Sequence, residues 1–177
     1  DHSVNGLTNL PLYQNDNQRN KKIIEGGTDM YKLSQLTEDG SIMLHGQKIA
    51  DTILYVNGDF VKKSEAVISV YDSGFQHGDG VYEGIRAYGR KVYRLDEHIK
   101  RLYESCYTLG IDIGKTKDEM KEIVKELIRR NLDAGFTDLH MRLQVTRGFK
   151  AQTGMHPTLN VTNASIVICV DQKPPIF

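Results

Sequence analysis

Cysteine, net charge and long apolar runs are all scarce in this 177-residue chain, and each scarcity excludes something. Its two cysteines, Cys106 and Cys169, are too few for a disulfide framework and have no metal-ligand spacing. Both lie in apolar periodic segments and read as reduced core residues of a cytoplasmic protein. Lysine plus arginine equals aspartate plus glutamate at 23 each, so the basic excess that phosphate contacts require of a generic nucleic-acid binder is missing. The longest apolar run, Ile166-Val167-Ile168-Cys169-Val170, is strand-sized, far below the ~18 residues of a membrane span. There is no internal repeat, no Walker-type Gly-Lys-Ser/Thr loop and no charged-then-apolar opening that reads as a signal peptide. What remains is one ordinary domain with a tail, 39% apolar and 26% charged, with enough apolar residues for a sizeable core.

Residues 1–52 are rich in Asn, Asp, Gln, Lys and Gly, and read as a polar N-terminal extension whose true start, given Asp1, has been removed. Residues 53–172 carry sharper signals. Segments 52–56 and 59–61 flank Asn57-Gly58, which accepts the positive φ values of a two-residue hairpin turn. A strand is predicted over 66–71, and a second hairpin over 81–88 and 91–94 about Gly89-Arg90. Residues 95–109 read as a helix with Leu95, Ile99, Leu102, Cys106 and Leu109 on one stripe. Thr116-Lys117-Asp118-Glu119 is a capping box that opens a second helix. That helix turns Met120, Ile123, Val124, Leu127 and Ile128 inward, with Arg129 and Arg130 suited to its C-terminal dipole. Strands over 138–147 and 165–171 complete an α+β fold, a mostly antiparallel sheet with two main helices. Lys173-Pro174-Pro175 breaks the pattern, and 173–177 read as the start of an interdomain linker at which the chain is cut.

The least ordinary segment runs from Asp72 to Arg86. Gly78-x-Gly80 is followed by Glu83 rather than a third glycine, and then by a strand, so it is not a dinucleotide loop. The glycines alone read as a long turn entering a strand. Alternation then sets Tyr82, Gly84, Arg86 and Tyr88 on one face and Val81, Glu83, Ile85 and Ala87 on the other. Aromatics and an arginine around a glycine gap suit a ligand wall, although Tyr88, near the hairpin tip, reads as solvated. Along 138–147, Leu139, Met141, Leu143 and Val145 point one way, and His140, Arg142, Gln144 and Thr146 the other. His140 with Arg142 suits carboxylate recognition, and a solvated sheet face explains the pattern equally well. Arg101, beside the inward Leu102, can lay its stem on the core and aim its head at an anion. Lys100 and His98 read as helix-surface residues, while Asp96 and Glu97 suit the helix N-terminus. Asn160-Val161-Thr162 and Asn163-Ala164-Ser165 read as chance glycosylation patterns.

Four blocks stand in order: Tyr55-Val56-Asn57-Gly58-Asp59-Phe60-Val61, the Asp72–Arg86 segment, Arg94-Leu95-Asp96-Glu97-His98-Ile99-Lys100-Arg101-Leu102, and Arg142-Leu143-Gln144-Val145-Thr146-Arg147-Gly148. From about residue 53 onward the chain resembles the N-terminal small domain of class IV (fold type IV) pyridoxal-phosphate aminotransferases, especially branched-chain amino acid aminotransferases. The resemblance implies that Arg101 holds the phosphate of pyridoxal 5'-phosphate, that Tyr82 and Gly84 belong to the substrate wall, and that Arg86 and Arg142 are active-site arginines. Arg142 matches the arginine associated with the side-chain carboxylate of glutamate or 2-oxoglutarate. His77 and His140 stand where branched-chain enzymes commonly have tyrosines. The D-amino-acid relatives carry an Arg-x-His after Thr-Arg-Gly, where Gln152 and Gly154 stand here.

The family's covalent lysine lies in a second domain, so this chain alone is expected to hold no catalytic residue and to be inactive. The implied whole is a transaminase, active as a homodimer or higher oligomer, moving the amino group of a hydrophobic L-amino acid to 2-oxoglutarate. D-amino-acid and (R)-amine transaminases and aminodeoxychorismate lyase share the scaffold. A binding or dimerisation fragment is the non-enzymatic alternative.

Overall fold

The computed structural model describes the backbone of 43–44 and 47–173 and the side chains of 49–173. Most of the polar extension, and the Pro174-Pro175 break, lie outside the described residues. Two short strands, β1 (Met43–Leu44) and β2 (Gln47–Lys48), pair antiparallel by themselves. The rest builds on β3 (Ile53–Val56) and β4 (Asp59–Lys62), joined as the Asn57-Gly58 pair demands, with φ of 50° and 116°.

Next come a short helix α1 (Ser73–His77), the long strand β5 (Gly80–Tyr88) and its hairpin partner β6 (Lys91–Val92). Helices α2 (Leu95–Leu109) and α3 (Lys117–Asp133) lead to β7 (Leu139–Thr146) and β8 (Ser165–Gln172). Six strands form one antiparallel sheet in the order β4-β3-β8-β7-β5-β6. Among the described residues no helix is long and apolar enough to cross a membrane.

The period-2 pattern decides which face is covered. Ile85, Ala87, Leu139, Met141, Leu143, Val145, Ile168 and Val170 are buried against Ile99, Leu102 and Cys106 of α2 and Met120, Val124, Leu127 and Ile128 of α3. Each buried Val, Leu, Ile or Met side chain among these contributes roughly 1.5–3 kcal/mol relative to exposure, largely offset by the entropy of ordering the chain. The Thr116–Glu119 capping box forms as read, each residue bonding the other's backbone. Asn131, inside α3, links helix to sheet by mimicking a strand. Its Oδ1 accepts from Ile53 N at 2.9 Å and its Nδ2 donates to Ile53 O at 2.8 Å.

Several expectations need correction. Residues 66–71 are not a strand. Both edges of β3 are already taken by β4 and β8, so the segment has no ladder to join, and Val67, Ile68 and Val70 stay exposed. Leu109 is also exposed, because α2 ends there and the chain turns away through left-handed Gly110. The turn before β5 contains the helix α1, whose first turn is capped by the Asp72 side chain accepting from Gly74 N at 2.8 Å. Cys106 is a core residue, but Cys169 is only half-buried, on the face away from the helices.

Candidate active site

Antiparallel register assembles the uncovered face of the sheet row by row. Tyr82 stands opposite Gln144, which faces Val167. Gly84 stands opposite Arg142, which faces Cys169. Arg86 stands opposite His140, which faces Asp171. Thus Tyr82, Gly84, Arg86, His140 and Arg142, singled out on separate strands, share one surface. The Arg142 guanidinium lies over the Tyr82 ring, 3.9 Å from its centroid, a cation–π stack that orients both side chains. Arg86 donates to Lys173 O at 2.6 Å. Tyr88 is half-exposed near the hairpin tip, as read.

The misread segment 66–71 gives this face its depth. Ala66, Val67, Ile68, Phe75, Tyr82 and Arg142 are among the residues lining a groove of about 680 Å³. That is the size of a small-molecule pocket, with an apolar wall and a few polar groups. Cys169 also lines it, and burial together with Asp171 pushes its thiol pKa up, which makes it a poor nucleophile. Glycine at 84 leaves the sheet face beside Arg142 open: a Cβ there meets only His140 Nε2 within 4 Å, at 3.9 Å. Gly80 is different, since a Cβ would stand 2.6 Å from Val145 O, so close packing of β5 on β7 requires it. His77, the last residue of α1, is exposed beside Gly78, which lines the groove.

An ion pair and a buried carboxylate frame the groove's supports. Arg147 grips Asp79 through Nε and Nη2, at 2.7 and 3.0 Å, and donates to Leu109 O and Gly110 O. It therefore ties the end of α2 to the entry of β5. Asp72 is buried, its second oxygen accepting from Thr146 Oγ1 at 2.9 Å, which fixes α1 to the end of β7.

Arg101 does not line the groove. It sits on α2, on the other side of β5, where its Nε and Nη2 donate to Glu83 Oε1 and Oε2 at 2.6 and 2.5 Å. His98 Nδ1 lies 2.9 Å from the same Oε2, so His98 is not the free surface residue that the helix pattern suggests. Burial raises the Glu83 carboxyl, but hydrogen bonds and charge from Arg101 and His98 outweigh it and hold the group below the usual carboxylate range. The Arg101 side chain stays 65% exposed. Nε and Nη2 are engaged by Glu83, and Nη2 also lies 3.4 Å from His98 Nδ1, which leaves the two N–H groups of Nη1 to grip an anion. A phosphate group suits that arrangement, and beyond Ala87 and Tyr88 no strand among the described residues covers the outer edge of β5. Glu83 escaped the sequence reading as a functional residue. The available signal was a carboxylate on a buried strand face, followed by His98 and Arg101 three residues apart on one helix face.

Residues 80–176, more than half of the chain, match the model of the family described as amino-transferase class IV. The chain belongs to the class IV amino-transferases. Over 95 residues it is 50% identical to a putative branched-chain-amino-acid aminotransferase of Methanocaldococcus jannaschii, covering 54% of this chain and 32% of that protein. It is 42% identical over 123 residues to a D-alanine aminotransferase of Bacillus licheniformis, covering 67% and 41%. The crystal structure of a branched-chain aminotransferase from Thermoproteus uzoniensis with norvaline superposes with a TM-score of 0.56 at 28% identity, over 68% of this chain and 40% of that one. This class IV chain thus spans less than half the length of each of these relatives. The α+β sheet with two main helices is the architecture of the N-terminal domain in the class IV neighbours.

Proposed function

We propose that this chain is the substrate-recognising and phosphate-anchoring part of an aminotransferase that moves the amino group of a hydrophobic, branched-chain L-amino acid to 2-oxoglutarate. The observation that carries the reading is the groove. An apolar wall (Val67, Ile68, Phe75 and Tyr82) meets Arg142, and Arg86 stands farther along the same sheet face; neither arginine has a carboxylate partner among the described residues. An amino acid with an apolar side chain and a dicarboxylate can then use the same cleft in alternating half-reactions. Pyridoxal 5'-phosphate supplies the electron sink for such chemistry. Arg101, positioned by Glu83, is the residue that would hold its phosphate. Tyr82, Gly84, Arg86, Arg142, His140 and, from a partner subunit, His77 are the proposed substrate-binding set. A further domain supplying the covalent lysine, a homodimer and a cytoplasmic location complete the proposal.

The 42% identity to a D-alanine aminotransferase supports a second reading, amino transfer from small D-amino acids. Gln152 and Gly154, at the places of that branch's Arg-x-His, weigh against it. The full-length protein loaded with cofactor decides between them. It should convert L-leucine and L-valine with 2-oxoglutarate at a kcat/KM well above that for D-alanine. Faster turnover of D-alanine, or elimination of pyruvate without amino exchange, overturns the branched-chain reading.

A further inference from the structure

The space above Gly84 is open except at one side, where His140 Nε2 approaches a would-be Cβ at 3.9 Å. Around His140 stand Arg86 from β5, Arg142 from its own strand, Cys169 and Asp171 from β8, and Lys173 just beyond. Asp171 is the only carboxylate in this set. It is already held by Lys63 Nζ at 2.7 Å and Lys173 Nζ at 3.6 Å. The imidazole is thus set among cations with no free counter-charge beside it.

We infer that His140 makes recognition of a dicarboxylate substrate proton-linked: its imidazole gains a proton as the second carboxylate settles over Gly84, between Arg86 and Arg142. This rests on the reading that the groove accepts a dicarboxylate. In the free protein, burial and then the Lys173, Arg86 and Arg142 charges push the His140 pKa below its ordinary value, against the pull of Asp171. The side chain is therefore neutral at pH 7. An incoming carboxylate offsets the cations' repulsion and lifts the pKa in the bound state. Linkage then sets the sign. Between the lower free-state pKa and the higher bound-state pKa, affinity rises as pH falls, by up to about tenfold per pH unit. A monocarboxylate with an apolar side chain places nothing over Gly84 to draw the proton in. His140 thereby distinguishes the two half-reactions by charge, a role a tyrosine at this position cannot fill near neutral pH.

The test is calorimetric titration of the cofactor-loaded, full-length protein with glutarate and with 4-methylpentanoate at pH 7, each in two buffers of different ionisation enthalpy. Glutarate binding should take up a substantial fraction of a proton and 4-methylpentanoate close to none. In His140→Gln the glutarate uptake should vanish while binding itself persists, and His140→Tyr should behave alike. The imidazole proton resonance of His140 should also titrate at higher pH with glutarate present, a readout that needs no variant. Glutarate binding without proton uptake, or with equal uptake in wild type and His140→Gln, overturns the inference and leaves the aminotransferase reading intact. Failure of both ligands to bind overturns that reading as well.

Discussion

Glu83 and Arg101 join strand β5 to helix α2 through two parallel hydrogen bonds of 2.6 and 2.5 Å, the carboxylate buried and the guanidinium mostly in solvent. A bidentate pair fixes the guanidinium plane as well as its position. The pair also resolves why a carboxylate sits among Val81, Ile85 and Ala87 on the covered face. Its partners on the helix take up its charge.

Glu83→Gln should weaken binding of pyridoxal 5'-phosphate to the full-length apo-protein by about tenfold, because the Arg101 fork is no longer held in place. Arg101→Lys should do the same, keeping charge but losing the planar fork. The same pair predicts a pH dependence. The Glu83 carboxyl is depressed in the folded state, so its contribution is complete above the unfolded-chain value of ~4.3 and is lost as pH falls through the lower folded value. Urea midpoints of wild type and Glu83→Gln should therefore differ at pH 7, and the gap should narrow as pH falls below ~4.3 and on through the folded value. A gap that persists in acid would show that packing, not charge, sets the effect.

Arg142→Leu should lower kcat/KM for L-glutamate by roughly 10- to 100-fold and that for L-leucine by only a few-fold. Only the dicarboxylate presents a second charge to the guanidinium, while leucine on the groove wall preserves contact with the Tyr82 ring. Single-turnover absorbance of each half-reaction measures the two losses separately. Equal losses would assign Arg142 a structural role.

The glycines of β5 should part company. Gly80→Ala forces a Cβ to within 2.6 Å of the Val145 carbonyl and should cost about 1–3 kcal/mol in denaturant unfolding. Gly84→Ala meets only His140 Nε2 at 3.9 Å and should leave stability within about 1 kcal/mol, while reducing ligand affinity from the open sheet face beside Arg142. If both substitutions destabilise alike, the sheet face above Gly84 is not open.

Lys150 is fully buried, and its ammonium makes one long hydrogen bond, 3.5 Å, to His156 O. A buried cation with so little compensation contributes little to stability. Lys150→Met keeps the length of the side chain and removes the charge, so it should be neutral or stabilising by about 1–4 kcal/mol. A clear loss in the urea midpoint would mean that the ammonium organises the 151–159 loop.

By itself the sequence determined the local elements and their faces. Alternation placed Leu139, Met141, Leu143 and Val145 in the core, Asn57-Gly58 made its hairpin, and Thr116 and Glu119 capped their helix, because each depends on neighbours only a few residues away. The same alternation put Tyr82, Arg86, His140 and Arg142 on the faces they occupy. Only tertiary structure decided what those faces meet. Strand order excluded 66–71 from the sheet and turned its apolar residues into a groove wall, a result no local periodicity encodes. Register set Gly84 opposite Arg142 and Arg86 opposite His140, and packing of α2 on β5 gave Glu83 its two partners. These are pairings between strands and helices far apart in the chain. Their physical basis is the geometry of hydrogen-bonded ladders and close packing, which a one-dimensional pattern of polar and apolar residues leaves open.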